Sequence, residues 1–339
     1  MKQILFTCFV NRDGVPLMGR VEDGNRSDQR LNAEQIAHVV AAFSPEALQD
    51  LTYIADAALV TGPHREALHA AGITWLSRLP DPLGAAGTAK AAAGAAATWP
   101  ALGPVAARPH AATYWAAEHT ASLRDRTYRL VVYRSSRLDQ RQAKAFDREL
   151  ARIRTAADRA APPSVTPYHV TVAWGPRDEI AVRAALQRRS CFVLIIPLPV
   201  ARADAAALLR EYKGQTSVEQ RFPFLKAPTF VDAIFLKKPE RLQALGYVML
   251  LALLLFRVVE RRVRAHPAPL PTSKRGSLAP PTGCEILKHC RGIQVFWQDR
   301  DHRAAAFPSH YRPALRVTLA ALDLPETIFT AVPTRAAPT

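Results

Sequence analysis

The first 42 residues alternate between strand-like and helix-like patterns. Residues 3–10 are mostly apolar, Asn-Arg-Asp-Gly at 11–14 predicts a turn, and residues 16–21 predict the returning strand of a hairpin. Ser27 or Asp28 can cap the helix that follows. The predicted apolar face of that helix comprises Leu31, Ile36, Val39 and Val40.

A second group of elements follows after Ser44. Residues 51–55 predict a buried strand that ends on Asp56, residues 63–71 predict a helix, and residues 73–76 predict another strand. Strands that alternate with helices in this way are typical of an α/β sheet.

The pattern then weakens and returns. Residues 84–119 are alanine-rich with weak periodicity, and we expect a loosely patterned insertion there. Strands are predicted at 128–133 and 168–174, with a charged helix at about 138–160 between them. Residues 191–198 form a continuous apolar run, which is typical of a strand buried on both faces.

A long helical region occupies residues 203–264. Within it, residues 244–256 are apolar without interruption, but thirteen residues are fewer than the roughly 20 needed to cross a membrane. Arg241 precedes this run and Arg257 follows it directly. We therefore expect a buried helix in a soluble chain, with no membrane partner.

Charge narrows the class of partner. The 339 residues carry 45 Lys and Arg against 29 Asp and Glu, a net charge of +16. Residues 1–60 hold 5 basic and 8 acidic groups, so the excess of positive charge lies in the rest of the chain. This balance favours a polyanionic partner, nucleic acid first and an anionic membrane second. Four cysteines in so long a chain indicate a reducing compartment rather than a disulfide framework.

One polar stripe within the helical region combines an acidic residue with polar partners. If residues 212–226 are helical, Tyr212, Gln215 and Glu219 share one face, and Lys226 lies about two turns further on. An amphipathic surface helix with solvated charges would show the same pattern. The stripe alone does not separate a solvated surface from a site.

The spacing Tyr-x2-Gln-x3-Glu-x6-Lys resembles the Tyr-Arg-Glu-Lys signature of bacterial insertion-sequence transposases of the DDE class, with Gln215 where many members have Arg. Similar motifs occur in the family's order elsewhere in the chain. They lie at residues 13–17, 23–28, 54–61, 77–80 and 235–241. The resemblance covers residues 1–81 and 191–265, and is fainter over 127–150 and 281–330.

The resemblance implies an RNase H-like α/β fold, a mixed sheet flanked by helices and interrupted by an insertion domain. It implies two Mg²⁺ ions held by three carboxylates. It assigns the second carboxylate to Asp56 and the third to Glu219, 163 residues later. Tyr212, Gln215 and Lys226 would position the DNA end. From the residues alone, Asp56 is also explained as a helix N-cap.

The resemblance also implies a first carboxylate on a strand upstream of residue 3, which this sequence does not contain. Asp13, Asp23 and Asp28 each have a local explanation in a turn or a helix cap. We therefore expect a catalytically incomplete transposase, truncated at its N-terminus.

The resulting domain map has four segments. Residues 84–190 are expected to form a separate lobe, with the strands at 128–133 and 168–174 outside the core sheet. The segments are 1–83 (first part of the catalytic core), 84–190 (insertion domain), 191–265 (second part of the core) and 266–339 (linker and small C-terminal unit).

Two other clusters contain residue types that can bind metal ions or phosphate. Cys284 and Cys290, with nearby histidines, do not match a common zinc spacing. The arginines after the apolar run are consistent either with a solvated helix end or with contacts to DNA phosphates. They are Arg257, Arg261, Arg262 and Arg264.

The function predicted from the sequence is metal-dependent DNA strand cleavage and transfer at insertion-sequence ends. The alternatives are a non-catalytic DNA-binding remnant and a generic basic nuclease. Double-stranded DNA would be the partner, a homo-oligomer is compatible with the family, and the location would be the bacterial cytoplasm, at the nucleoid.

Overall fold

The computed structural model divides the chain into two compact units, which are described separately. The central unit is Arg26–Thr216, and the terminal unit combines Met1–Asn25 with Ser217–Thr339. The described residues are 4–96, 98–105, 110–124, 126–159, 179–197, 203–215, 238–268, 270, 281–291, 293, 296–297, 303–304 and 313–329. The predicted strand at 168–174 lies outside them.

The strands are β1 (Ile4–Val10), β2 (Pro16–Asp23), β3 (Thr52–Ala55), β4 (Thr74–Arg78), β5 (Ala101–Pro104), β6 (Thr113–Leu123), β7 (Arg126–Ser135), β8 (Cys191–Pro197), β9 (Phe296–Trp297) and β10 (Arg303–Ala304). The helices are α1 (Asp28–Ala42), α2 (Pro45–Asp50), α3 (Gly62–Ala70), α4 (Gly84–Ala95), α5 (Ser136–Arg159), α6 (Glu179–Arg189), α7 (Ala205–Gly214), α8 (Pro239–Ala265), α9 (Gly283–His289) and α10 (Pro313–Ala321). Short 3-10 helices lie at Ala57–Leu59 and Glu326–Phe329.

A six-stranded mixed sheet forms the core of the central unit. Its strand order is β3-β4-β8-β7-β6-β5. Strands β3 and β4 are parallel, and every other neighbouring pair is antiparallel. Helices flank this sheet, so the predicted mixed α/β class is confirmed.

Strand β8 is buried between β4 and β7, as its apolar run predicted. Val193 and Ile195 are fully buried in it, and Leu194 alternates with them toward the opposite face. Leu194 belongs to an apolar cluster that also contains Tyr133 of β7 and Leu209 of α7. The hydroxyl of Tyr133 donates a hydrogen bond of 2.8 Å to the carbonyl of Ala205, which fixes the start of α7 against the sheet.

The expectation of a loosely patterned insertion at 84–119 is wrong. This stretch forms helix α4 and strands β5 and β6. Alanine has the highest helix propensity, and α4 buries Ala86, Ala89 and Ala93 on one face. Alanines on the exposed faces hid the periodicity that a polar surface would have revealed.

The predicted separation of the strand at 128–133 from the core sheet is also wrong. This segment lies in β7, which pairs with β8 in the same sheet as β3. The link between the two parts is the pairing of Arg78 in β4 with Leu194 in β8. Neither predicted boundary, at 83/84 or at 190/191, coincides with a break between the two compact units.

Helix α1 begins as predicted. The side chain of Ser27 accepts a hydrogen bond from the backbone N–H of Arg30, so Ser27 is the N-cap. Leu31, Ile36 and Val39 are buried, but Val40 is exposed, because it follows Val39 by about 100° around the helix.

In the terminal unit, the predicted hairpin packs against the long helix α8. Strands β1 and β2 are antiparallel, and their turn has Gly14 in the left-handed region at φ 71°. A methyl group added at Gly246 would lie 2.5 Å from a methyl group of Val21. Glycine at position 246 therefore allows α8 to lie close to the hairpin.

The expectation that residues 244–256 form a buried helix is only partly right. These residues lie in α8, which buries one face, including Leu250 and Leu253, and exposes Val248, Leu251 and Leu255 on another. The helix has 27 residues, and 22% of its most apolar window is buried. Length and composition would allow it to cross a membrane, but core helices of soluble proteins pass the same test.

Cys191 gives a first testable prediction. Burial raises the pKa of its thiol to about 11. Because the thiolate is the reactive form, Cys191 should react with iodoacetamide at pH 8 about 100-fold more slowly than an ordinary exposed thiol. Peptide mass spectrometry over time would measure this, with the exposed Cys284 as the internal control. Equal rates for Cys191 and Cys284 would contradict it.

Candidate functional site

Asp56 lies directly after β3, at the carboxyl end of the parallel pair β3 and β4. Its side chain is exposed, and its Oδ1 accepts a hydrogen bond of 3.1 Å from the backbone N–H of Ala58. Asp56 is therefore the N-cap of the 3-10 helix Ala57–Leu59. Its Oδ2 has no hydrogen-bond partner among the described residues, so one carboxylate oxygen faces solvent while the other holds the backbone.

The strand that carries Asp56 is less enclosed than the sequence predicted. Strand β3 is an edge strand of the sheet, and Tyr53 is its one fully buried residue. Burial raises the pKa of Tyr53 to about 12, with a smaller contribution from the negative charge of Asp56. Tyr53 therefore stays protonated at neutral pH.

Ser77 positions the backbone of Asp56, a role that the motif at residues 77–80 did not indicate. This serine is fully buried in β4, and its hydroxyl donates a hydrogen bond of 2.7 Å to the carbonyl oxygen of Asp56. A hydroxyl directly after the apolar residues Trp75 and Leu76 was the available signal, because a buried hydroxyl needs a partner. The bond fixes the backbone from which the carboxylate projects.

The structure brings Tyr212 and Gln215 together at the end of α7. The helix ends at Gly214, and the backbone N–H of Gln215 donates a hydrogen bond of 3.2 Å to the carbonyl of Tyr212. Tyr212 packs against the same apolar cluster as Ile54, two residues before Asp56. Glu219 and Lys226 lie outside the described residues.

Arg257 has an internal position rather than a solvated one. Its side chain is 7% exposed and pairs with Glu260, which is 4% exposed. It also donates a hydrogen bond of 3.0 Å to the carbonyl of Asp13. The interpretation of Arg257 as part of a solvated basic cluster is therefore wrong, and a contact with DNA phosphate would first require these bonds to break.

Arg261 is exposed and available at the surface, although it has a partner. Its Nε lies 3.0 Å from Oδ2 of Asp13, and both side chains are about half exposed. Such a pair exchanges readily with solvent and salt. Contact between Arg261 and DNA phosphate stays a prediction. Asp13 could act as a metal ligand only if it gave up its ion pair with Arg261.

Among the described residues, Asp56 is the predicted metal ligand whose chemistry can be assessed. Its solvent-facing oxygen is the hard donor that Mg²⁺ prefers. Among the residues that the structure describes, no three His, Cys, Asp or Glu side chains group closely enough to hold a metal ion. Because Glu219 is outside that set, its part in a shared site remains a prediction.

Comparison with known proteins identifies no family for this chain. No protein-family model matches the chain, and no curated protein sequence matches it significantly. The resemblance to insertion-sequence transposases therefore depends on the motifs alone.

Proposed function

We propose that this protein binds double-stranded DNA and carries two of the metal-binding carboxylates of an insertion-sequence transposase. The supporting observation is Asp56, an exposed carboxylate at the carboxyl end of a strand in a mixed sheet. This is where the transposase resemblance assigns the second metal ligand. An RNase H-like arrangement of the sheet is part of the proposal.

In the proposed site, Asp56 and Glu219 would hold Mg²⁺. The ions, when bound, would activate the attacking oxygen and stabilise the leaving one during strand cleavage. Ser77 would keep the Asp56 backbone in place through its hydrogen bond. Tyr212, Gln215 and Lys226 would orient the DNA end, and Arg261 would contact phosphate.

We expect DNA binding by this chain to be independent of the proposed metal site. Attraction to phosphate does not depend on the metal-binding carboxylates, whereas strand cleavage does. A non-catalytic DNA-binding protein of transposase origin is accordingly the alternative function. The proposed location is the bacterial cytoplasm, and a homo-oligomer is compatible with the family.

Binding of Mn²⁺ to the full chain tests the role of Asp56. Loss of an outer-shell partner alone lowers metal affinity about 10- to 100-fold, so Asp56→Asn should lower Mn²⁺ affinity at least about tenfold. Asparagine is as good an N-cap as aspartate, so the fold should be retained. Electron paramagnetic resonance of free Mn²⁺ would measure the change.

The matched control is Asp50→Asn. Asp50 is exposed at the end of α2, and the substitution makes the same change of charge and atoms. We expect its Mn²⁺ affinity to equal that of the wild type, and Glu219→Gln to lower it as Asp56→Asn does. Equal Mn²⁺ affinity in wild type and Asp56→Asn would refute the metal-binding role.

A further inference from the structure

A basic cleft opens in the central unit, where α4, α5 and α6 meet the end of β4 and the start of β8. Its volume is about 760 Å³. Most of its charged lining is cationic, and the cations come from four different elements. The charged lining residues are Arg78, Lys90, Arg141, Arg188, Arg189 and Asp81.

Asp81, the one carboxylate among the described lining residues, organises two of the cations. Asp81 accepts a hydrogen bond of 2.8 Å from Lys90 and one of 3.2 Å from Arg78. Burial raises the pKa of Asp81, but these two cations outweigh burial, and the pKa is lowered overall. Asp81 is therefore ionised at neutral pH, and the described lining residues carry five cations against one carboxylate, an excess of positive charge.

The remaining three cations differ in how they are held. Arg189 pairs with Glu149 at 2.7 Å and lies over the ring of Phe146. Arg141 and Arg188 are exposed and have no ion-pair partner among the described residues. Two guanidinium groups, one on α5 and one on α6, thus face the cleft without a counter-charge from the described part of the chain.

We propose that this basic cleft binds the phosphodiester backbone of DNA. Guanidinium groups bind phosphate through paired N–H donors, and Arg141 and Arg188 have those donors available. A cleft of about 760 Å³ has room for more than one phosphate group, which favours a stretch of backbone over a single small anion. The proposal depends on the proposed function only in naming DNA as the polyanion.

The transposase resemblance assigns none of these residues to DNA. Phosphate contacts fix the position of a duplex without reading its sequence. The basic cleft would therefore hold DNA in register for the site at Asp56 and should bind duplexes regardless of sequence.

The test is binding of the full chain to a fluorescent duplex at several salt concentrations. In Arg141→Gln/Arg188→Gln, two lost phosphate contacts should flatten the slope of log K against log salt by about 1.8, and affinity at 100 mM salt should fall roughly 10- to 60-fold. The single variant Arg188→Gln should flatten the slope by about 0.9. Circular dichroism checks that each variant is folded.

The matched control is Arg30→Gln/Arg210→Gln, which removes the same charge from exposed positions of the central unit outside the cleft lining. We expect its salt slope to equal that of the wild type. If the cleft variant and the control lose affinity equally, the cleft proposal fails while DNA binding stands.

Two other outcomes also overturn the proposal. If the wild type does not bind duplex DNA at low salt, both the basic cleft and the proposed function fail. If inorganic pyrophosphate binds the wild type but not Arg141→Gln/Arg188→Gln, while both bind DNA equally, the cleft is a site for a small anion instead.

Discussion

Glu260→Ala is expected to destabilise the terminal unit by about 3–5 kcal/mol, because it leaves a buried cation without its counter-charge. The Glu260 side chain is 4% exposed and pairs with Arg257, which is 7% exposed. Glu260 also pairs with Arg264, which is partly exposed and can turn toward water. Amide hydrogen exchange of α8 should therefore accelerate on the order of 10²-fold or more.

The control for this prediction is Glu326→Ala. Glu326 pairs with Arg316 at 3.5 Å, and more than half of each side chain is exposed. Removing a partner from such a pair should change the free energy of unfolding by at most about 1 kcal/mol.

The double variant Arg257→Met/Glu260→Leu should recover most of the protection from amide hydrogen exchange that Glu260→Ala loses, because apolar side chains can replace a buried ion pair. An effect of Glu260→Ala no larger than that of Glu326→Ala would contradict the account of this pair.

The elements that were predicted correctly are those determined by local chemistry. The hairpin β1–β2 follows from its Asn-Arg-Asp-Gly turn, α1 follows from its Ser27 cap, and α5 follows from a charged pattern of helical period. Strand β8 follows from a short apolar run, which is typical of a strand covered on both faces.

Which strands share the central sheet could not be predicted in the same way. Strands β4 and β8 are neighbours in the sheet, although Arg78 and its partner Leu194 are more than 100 residues apart in the chain. Such a pairing depends on tertiary packing and leaves no local signal. The break in sequence pattern at residue 84 is therefore not a break in the fold.

The residues of the candidate site likewise divide into those set by local sequence and those set by contacts between distant elements. The position of Asp56 at a strand end was predicted from the chain, and its capping role was one of the two interpretations. Ser77 and the basic cleft depend on contacts between distant elements and needed the structure. Positive charge alone does not indicate the burial of Arg257, whereas Glu260, three residues later, has a typical ion-pair spacing on a helix.

Salt should weaken DNA binding steeply. The five cations of the basic cleft are offset by Asp81 and by Glu149, the partner of Arg189, which leaves an excess sufficient to neutralise about three phosphates. Each neutralised phosphate contributes about −0.9 to the slope of log K against log salt, so the slope should be about −2.7. Affinity for duplex DNA should then fall roughly 40-fold between 50 and 200 mM salt.

The measurement that tests the central claim most directly is a fluorescence anisotropy titration of the full chain with a labelled duplex from 50 to 200 mM salt. A second duplex of unrelated sequence serves as the control, because contacts with phosphate do not distinguish sequences. The account predicts binding of both duplexes, with a slope of about −2.7 for each. Absence of binding at 50 mM salt, or an affinity that does not change with salt, would contradict it.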